Sequence, residues 1–437
     1  MKNIYLLLAA FCLTLSTAHA QWSTAPLPSG GRYFLAGATA GSTAIFAGGI
    51  GMMSIPPNVF DSYNNANGIW SSGSISQGRV KLAGAGLGNY AFFAGGADDW
   101  IFAVYDVVDI YNRATNSWTV SSLSIPRYSL AGASAGTKVL FAGGIDNNGS
   151  AYAMVDIYDT VTHNWSTANL SAGRANLASA STPTHAFFAG GENGTGSSNV
   201  VDIYTASTGT WSTAQLSIAR SNLGATACGN KIYFAGGQAS GILSRRVDIY
   251  DITTNTWTID SLSTARQNLM AAAVGKYVIF AGGSDLNGTT AYNSVDILDT
   301  STGTWTTATL SSSRYYGAAT SVGNKVIIAG GAGSNGFPVA TAEIYTVNTT
   351  GLFFPEAAEG LLLYPNPSNG QFNINTTGLS GDVKVEVYTL EGKMVYNQTF
   401  TQGASLLTVS LSEVSKGDYL VKVTDRNGLK TQVVQKN

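Results

Sequence analysis

The sequence predicts an all-β protein in which seven repeated four-stranded units precede a small second β domain. Three observations carry this. A Phe-Ala-Gly-Gly string starts at Phe46, Phe93, Phe141, Phe188, Phe234 and Phe280, and Ile328 opens a seventh copy, at steps of 47, 48, 47, 46, 46 and 48 residues. Glycine is abundant (51 of 437 residues) and charged residues are sparse (11%), a composition suited to many short strands joined by tight turns. Beyond Tyr345 both the string and tryptophan disappear, and six of the twelve lysines fall between Leu361 and Asn437.

Three further markers keep the same step. An arginine precedes each string, at Arg32, Arg79, Arg127, Arg174, Arg220, Arg266 and Arg314. An acid follows it in a Val-Asp-Ile-Tyr-like stretch, at Asp61, Asp109, Asp156, Asp202, Asp248, Asp296 and Glu343. Tryptophan closes the units at Trp70, Trp118, Trp165, Trp211, Trp257 and Trp305. Period-2 alternation and glycine breaks cut each unit into four strands: a small-residue strand after the arginine, one ending in Gly-Gly, one with the acid and one with Trp.

This order of Arg, Gly-Gly, acid-x-Tyr and Trp resembles the kelch repeat, whose family fold is a β-propeller with one four-stranded blade per unit. The resemblance implies a seven-bladed propeller of the kelch and galactose oxidase-like kind over residues 21–352. The small residues Thr39, Gly86, Ser134, Ser181, Ala227, Ala273 and Ser321, each seven after its arginine, suit strands crowding a central axis. The tryptophans are expected to fill the wedges between blades as core, not as ligand platforms. The arginine and acid rings are expected to pair within or between blades. The seventh unit has Leu352 where Trp is due, whereas Trp22 opens WSTAPLPSGGR, parallel to WSTANLSAGR at Trp165. The N-terminal strand is therefore expected to complete the last blade and remove the open edge.

A linker over 353–360 is expected to lead into residues 361–437, whose alternating strands between Gly and Asn turns predict a small Ig-like β-sandwich. Tyr364-Pro365-Asn366-Pro367, Gly370, VYTLEG, Gly417-Asp418-Tyr419, Gly428 and Lys436 resemble the type A sorting domain of the Bacteroidetes type IX secretion system. That resemblance implies engagement of the type IX machinery and passage across the outer membrane to the cell surface or the medium. Residues 1–20 read as a signal peptide: Lys2, an apolar run from Ile4 to Leu15, then Ala18-His19-Ala20. Cleavage after Ala20 leaves a chain expected to lack a transmembrane anchor, to be monomeric, and to keep Cys228 as its one cysteine, so packing and not a disulfide must hold it. A net charge of -2 without a basic run gives no footprint for nucleic acid.

Several apparent motifs dissolve into the repeat. Ser134 in Gly-Ala-Ser-Ala-Gly matches a nucleophile elbow, but Gly-Ala-Thr-Ala-Gly at Gly37 shows the pattern recurring on an inner strand. Gly331 to Gly336 mimics a dinucleotide fingerprint without a helix to follow. Asp146 and Asp285 stand in loops better read as turns than as calcium sites. Cys228 reads as a buried small hydrophobe, which disfavours a copper oxidase; neither a metal nor another cofactor is expected. His163 and His185 read as solvent-edge residues.

Function is sought where the repeats disagree. The positions after each Arg (Tyr33, Val80, Tyr128, Ala175, Ser221, Gln267, Tyr315) and after each Gly-Gly (Ile50, Ala97, Ile145, Glu192, Gln238, Ser284, Ala332) vary. In the kelch family such positions tend to face the central pocket. Tyr33, Tyr128, Tyr315, Gln267, Glu192, Gln238, Ser221 and Ser284, with Trp100 from a following loop, are the candidate ligand residues. They suit a sugar or a peptide. The expectation is a non-catalytic binding or adhesion module for a glycan or protein. The alternative is a carbohydrate-active enzyme such as a sugar epimerase or mutarotase, for which no paired carboxylates stand out.

Overall fold

Each repeat folds around its arginine. The computed structural model describes residues 21–52, 55–98 and 103–347, and in the C-terminal part 363–364, 368–375, 379–389, 393–401, 406–426 and 428–436. In every repeat the guanidinium is buried and meets the acid of the blade that it opens: Arg32 with Asp61 at 2.6 Å, Arg79 with Asp109 at 2.8 Å, Arg127 with Asp156 at 2.7 Å, Arg266 with Asp296 at 2.8 Å and Arg314 with Glu343 at 3.0 Å. Arg174 with Asp202 and Arg220 with Asp248 complete the set. The same arginines donate to the carbonyl of the first glycine of the pair, as Arg79 does to Gly95 at 2.7 Å and Arg220 to Gly236 at 2.8 Å. In the first six blades the second carboxylate oxygen accepts the backbone N–H of the serine three residues before the arginine, as Asp61 accepts from Ser29 at 2.9 Å, and in the seventh the Glu343 oxygen that meets Arg314 also accepts from Ser311 at 3.0 Å. One buried clasp thus ties the entering linker, the glycine pair and the third strand. Burial pulls Arg220 and Arg314 down to about 10, so both stay cationic at neutral pH.

The glycine pair joins blades. At Gly48 φ is +68° and at Gly49 it is +86°, and a Cβ on Gly48 would stand 2.6 Å from the Arg79 carbonyl oxygen. That approach lets the Gly49 N–H donate to the same carbonyl at 2.9 Å. The bond recurs blade by blade until Gly331 donates to Arg32 at 2.8 Å, which closes the circle.

The strands form seven four-stranded antiparallel sheets, which make a seven-bladed propeller. The first blade runs Tyr33–Ala40, Thr43–Ile50, Val59–Asn64 and Ile69–Ser74 from axis to rim, and five more follow in simple chain order. The seventh takes Ala318–Val322, Lys325–Ala329 and Thr341–Thr346, and its rim strand is Gln21–Pro26, with Trp22 opposite Tyr345. Leu352 lies outside the described residues, as do residues 1–20. Each rim-strand tryptophan is half-buried and packs on the tyrosine or leucine opposite it, as Trp211 does on Tyr204 at 5.3 Å between ring centroids.

In the C-terminal part, a sheet of Leu363–Tyr364, Gln371–Asn375 and Leu406–Ser410 and a second of Met394–Phe400, Val383–Thr389, Gly417–Asp425 and Gly428–Lys436 share one core. Phe372, Ile374 and Val409 meet Val385, Val387 and Val421 there. Of the sorting motif, Gly417 starts the long strand and Tyr419 is buried, its hydroxyl donating to the Ser415 carbonyl at 2.6 Å. Tyr364 pairs through its backbone with Asn373, and Pro365, Asn366 and Pro367 lie outside the described residues. The chain divides into two compact units, one ending at Val347 and the other including Asn348–Asn437.

Replacing Arg220 with Met should cost about 3–5 kcal/mol in a urea titration, because Asp248 would stay buried without its cation. Adding Asp248→Leu should recover most of that loss. An Arg220→Met protein as stable as the parent would show that the clasp does not hold the blade.

Candidate functional site

Two residues after each arginine the backbone turns left-handed. Phe34, Lys81, Ser129, Asn176, Asn222, Asn268 and Tyr316 all have φ between +52° and +59°. Their backbones form a second closed circle: Lys81 N–H donates to the Phe34 carbonyl at 3.1 Å, Ser129 to Lys81 at 2.9 Å, Asn222 to Asn176 at 3.1 Å, and Phe34 to Tyr316 at 2.8 Å. With N–H and carbonyl both engaged between blades, the circle is closed by backbone alone. All seven side chains line one axial cavity of about 570 Å³, within the range of small-ligand sites.

The wall has two sectors. On one side Phe34 lies 4.1 Å from Tyr316 and 5.1 Å from Tyr33 between ring centroids, and Tyr315 lies 4.9 Å from Tyr316. The Lys81 ammonium sits 4.9 Å from the Phe34 ring centre and 5.5 Å from that of Tyr128. Burial pushes the Tyr316 hydroxyl above the usual tyrosine range, so it remains a donor. On the other side, Asn176 donates to Glu192 at 2.8 Å and the Ser221 hydroxyl to the second Glu192 oxygen at 3.1 Å. Asn222 and Asn268 extend this amide edge.

Among the sequence candidates, Tyr128 and Glu192 line the cavity. Ser221, Ser284 and Gln267 are buried behind it, and Gln238 donates to Ser221 at 2.9 Å. Gln267 is occupied with the carbonyls of Asp285 and Leu286 at 3.2 and 3.1 Å. Tyr33 and Tyr315 stand half-buried beside the aromatic sector, and Trp100 lies outside the described residues. The two variable positions do pair with each other, as Ala175 with Glu192 and Ser221 with Gln238. The cavity wall is supplied mainly by the next residue along. Its signal was the recurrence of Asn at 176, 222 and 268, the side chain that best tolerates positive φ.

The remaining candidates settle as follows. Cys228 is half-buried, with its thiol 3.3 Å from the Gly275 carbonyl and held above the ordinary range by burial. Asp146 accepts N–H bonds from Asn148 and Ser150, and Asp285 from Thr289 and Thr290, in closed turns. His163 is exposed and bonds Tyr158 at 3.0 Å, while His185 is half-buried. Among the described residues no three His, Cys, Asp or Glu side chains gather as a metal set.

Seven clasped blades around an axial cavity define a seven-bladed β-propeller. Residues 130–331 match the model of the KLHDC2/KLHL20/DRC7 Kelch-repeats domain, and residues 362–436 match the secretion system C-terminal sorting domain. The chain is a kelch-repeat propeller with a type IX sorting domain, which directs export to the cell surface or extracellular space. Among solved structures, that of YjhT aligns over 74% of this chain and 97% of its own, with 16% identity and a TM-score of 0.51, a likeness of fold. No curated protein matches the chain. Among the described residues no helix is long and apolar enough to cross a membrane.

Asn222→Val, which forces a β-branched residue to φ near +56°, should destabilise by about 1–3 kcal/mol. Asn222→Gly should stay within about 0.5 kcal/mol of the parent, since glycine takes that conformation freely. Equal losses by thermal unfolding would assign the stability to the amide side chain and not to the backbone turn.

Proposed function

We propose that the propeller is a non-catalytic binding module, exported to the cell surface or beyond, that holds a glycan or a protein segment in the axial cavity. The observation that carries this reading is the division of labour at the axis. Backbone bonds there repeat in all seven blades, while the side chains facing the cavity run from Phe34 and Lys81 through Ser129 to three asparagines and Tyr316. A scaffold position needs no such variety. The aromatic sector offers ring faces, and the amide edge with Glu192 offers paired donors and acceptors, which together suit sugar rings or a peptide backbone.

A glycan array and a surface-protein pull-down with the purified mature chain would identify the ligand. Tyr128→Ala and Asn222→Gly should each weaken it roughly tenfold or more, about 1.4 kcal/mol, without loss of fold. If neither changes any binding detected, the cavity is not the site.

The presence of Glu192 in the wall supports one second reading, a carbohydrate-active enzyme such as a sugar epimerase or mutarotase in which this carboxylate moves a proton. Turnover of a bound sugar by the purified chain without added metal would favour that reading over binding alone. Glu192→Gln should then abolish turnover and only weaken binding. Binding without turnover keeps the module non-catalytic.

A further inference from the structure

The third strand of every blade carries a side chain that faces the tryptophan of the next blade, and in six blades it is isoleucine: Ile110, Ile157, Ile203, Ile249, Ile297 and Ile344. In the first blade it is Ser62. Two neighbours change with it. Phe60 replaces the valine or alanine that is fully buried in the other blades, and Gly73 replaces the residue opposite it on the rim strand. A Cβ on Gly73 would stand 2.7 Å from the Phe60 ring, so the glycine makes room for the phenyl group. The exchanged set leaves an open pocket of about 210 Å³ between the first and second blades, apart from the axial cavity.

The pocket has the chemistry of a site. Phe60 is half-exposed and its ring centre lies 4.8 Å from that of Trp118, which in turn lies 5.2 Å from Tyr111. Against these rings stands a hydroxyl wall, with Ser62 and Ser71 hydrogen-bonded at 2.8 Å and the Asn116 amide, bonded to the Tyr111 hydroxyl at 3.0 Å, at its edge. The described residues that line the pocket carry no charge. Its volume falls below that of sites for drug-sized ligands, so it suits a single ring. Here Trp118 departs from the purely structural duty expected of the seven tryptophans.

We propose that the seam between the first and second blades is a second binding site, for one neutral pyranose ring of a glycan. The apolar face of the sugar stacks on Phe60 and Trp118, and its hydroxyls meet Ser62, Ser71 and Asn116. The proposal stands independently of the axial cavity.

Saturation-transfer NMR with the methyl glycosides of glucose, galactose and mannose, on the mature chain, tests it. At least one glycoside should receive saturation from the protein. Ser62→Ile, which restores the residue of the other six blades, should weaken that glycoside at least tenfold while leaving the melting temperature equal or higher. Ser62→Val, a smaller filling, supplies the same test should the isoleucine not fold. Saturation that Tyr128→Ala removes belongs to the axial cavity, whereas the part that Ser62→Ile removes should persist in Tyr128→Ala. The proposal is overturned if none of the three glycosides is saturated, if the filled variants bind like the parent, or if Tyr128→Ala alone removes binding.

Discussion

A single buried guanidinium per blade is the interaction on which the propeller depends. Removing a charge from water is costly, and the protein offsets that cost by surrounding each arginine with a carboxylate and carbonyls that its fixed fork can reach together. Pairs of this kind contribute specificity as much as net stability. Arg220 can meet Asp248 and the Gly236 carbonyl only if the linker, second strand and third strand are in register. A slip of one residue would strand a buried charge. Seven such requirements, repeated at nearly constant spacing, leave the chain one way to pair its strands.

The clasp also frees the axis. Because Gly49 and its equivalents bond the carbonyl of the next arginine, neighbouring blades are joined by backbone just behind the cavity. The left-handed residues add a second circle of backbone bonds. Neither circle uses a side chain at the cavity wall, so Phe34, Lys81 and Asn222 can differ without loosening the ring. The same logic explains the seam between the first two blades. Phe60 and Ser62 flank Asp61 on the third strand with their side chains on the opposite face of the sheet, so a local exchange of packing leaves the Arg32 to Asp61 pair intact.

The architecture was legible because it repeats. The Phe-Ala-Gly-Gly steps gave the blade count, and the likeness of Trp22 to Trp165 placed the closing strand, which pairs Thr341–Thr346 as the parallel implied. The site was less legible. Looking for variation picked the residue after each arginine, yet Val80, Ala175 and Ser221 are buried, because the chain turns left-handed one residue later and swings that next side chain toward the axis. Backbone dihedrals leave only a weak trace in sequence, here three asparagines in seven positions. The exchange of isoleucine for Ser62 was visible in the repeat, but its meaning depended on which neighbours faced it across the seam.

Native-state hydrogen exchange of the second-glycine amides tests the central claim most directly. The account predicts that Gly49, Gly96, Gly144, Gly191, Gly237, Gly283 and Gly331 share one opening free energy, equal to that of global unfolding, because the clasped ring opens only as a whole. If Gly331, which bonds across the closure between the seventh and first blades, exchanged through a separate and easier opening, the propeller would be a row of blades with a loose end and not a closed ring.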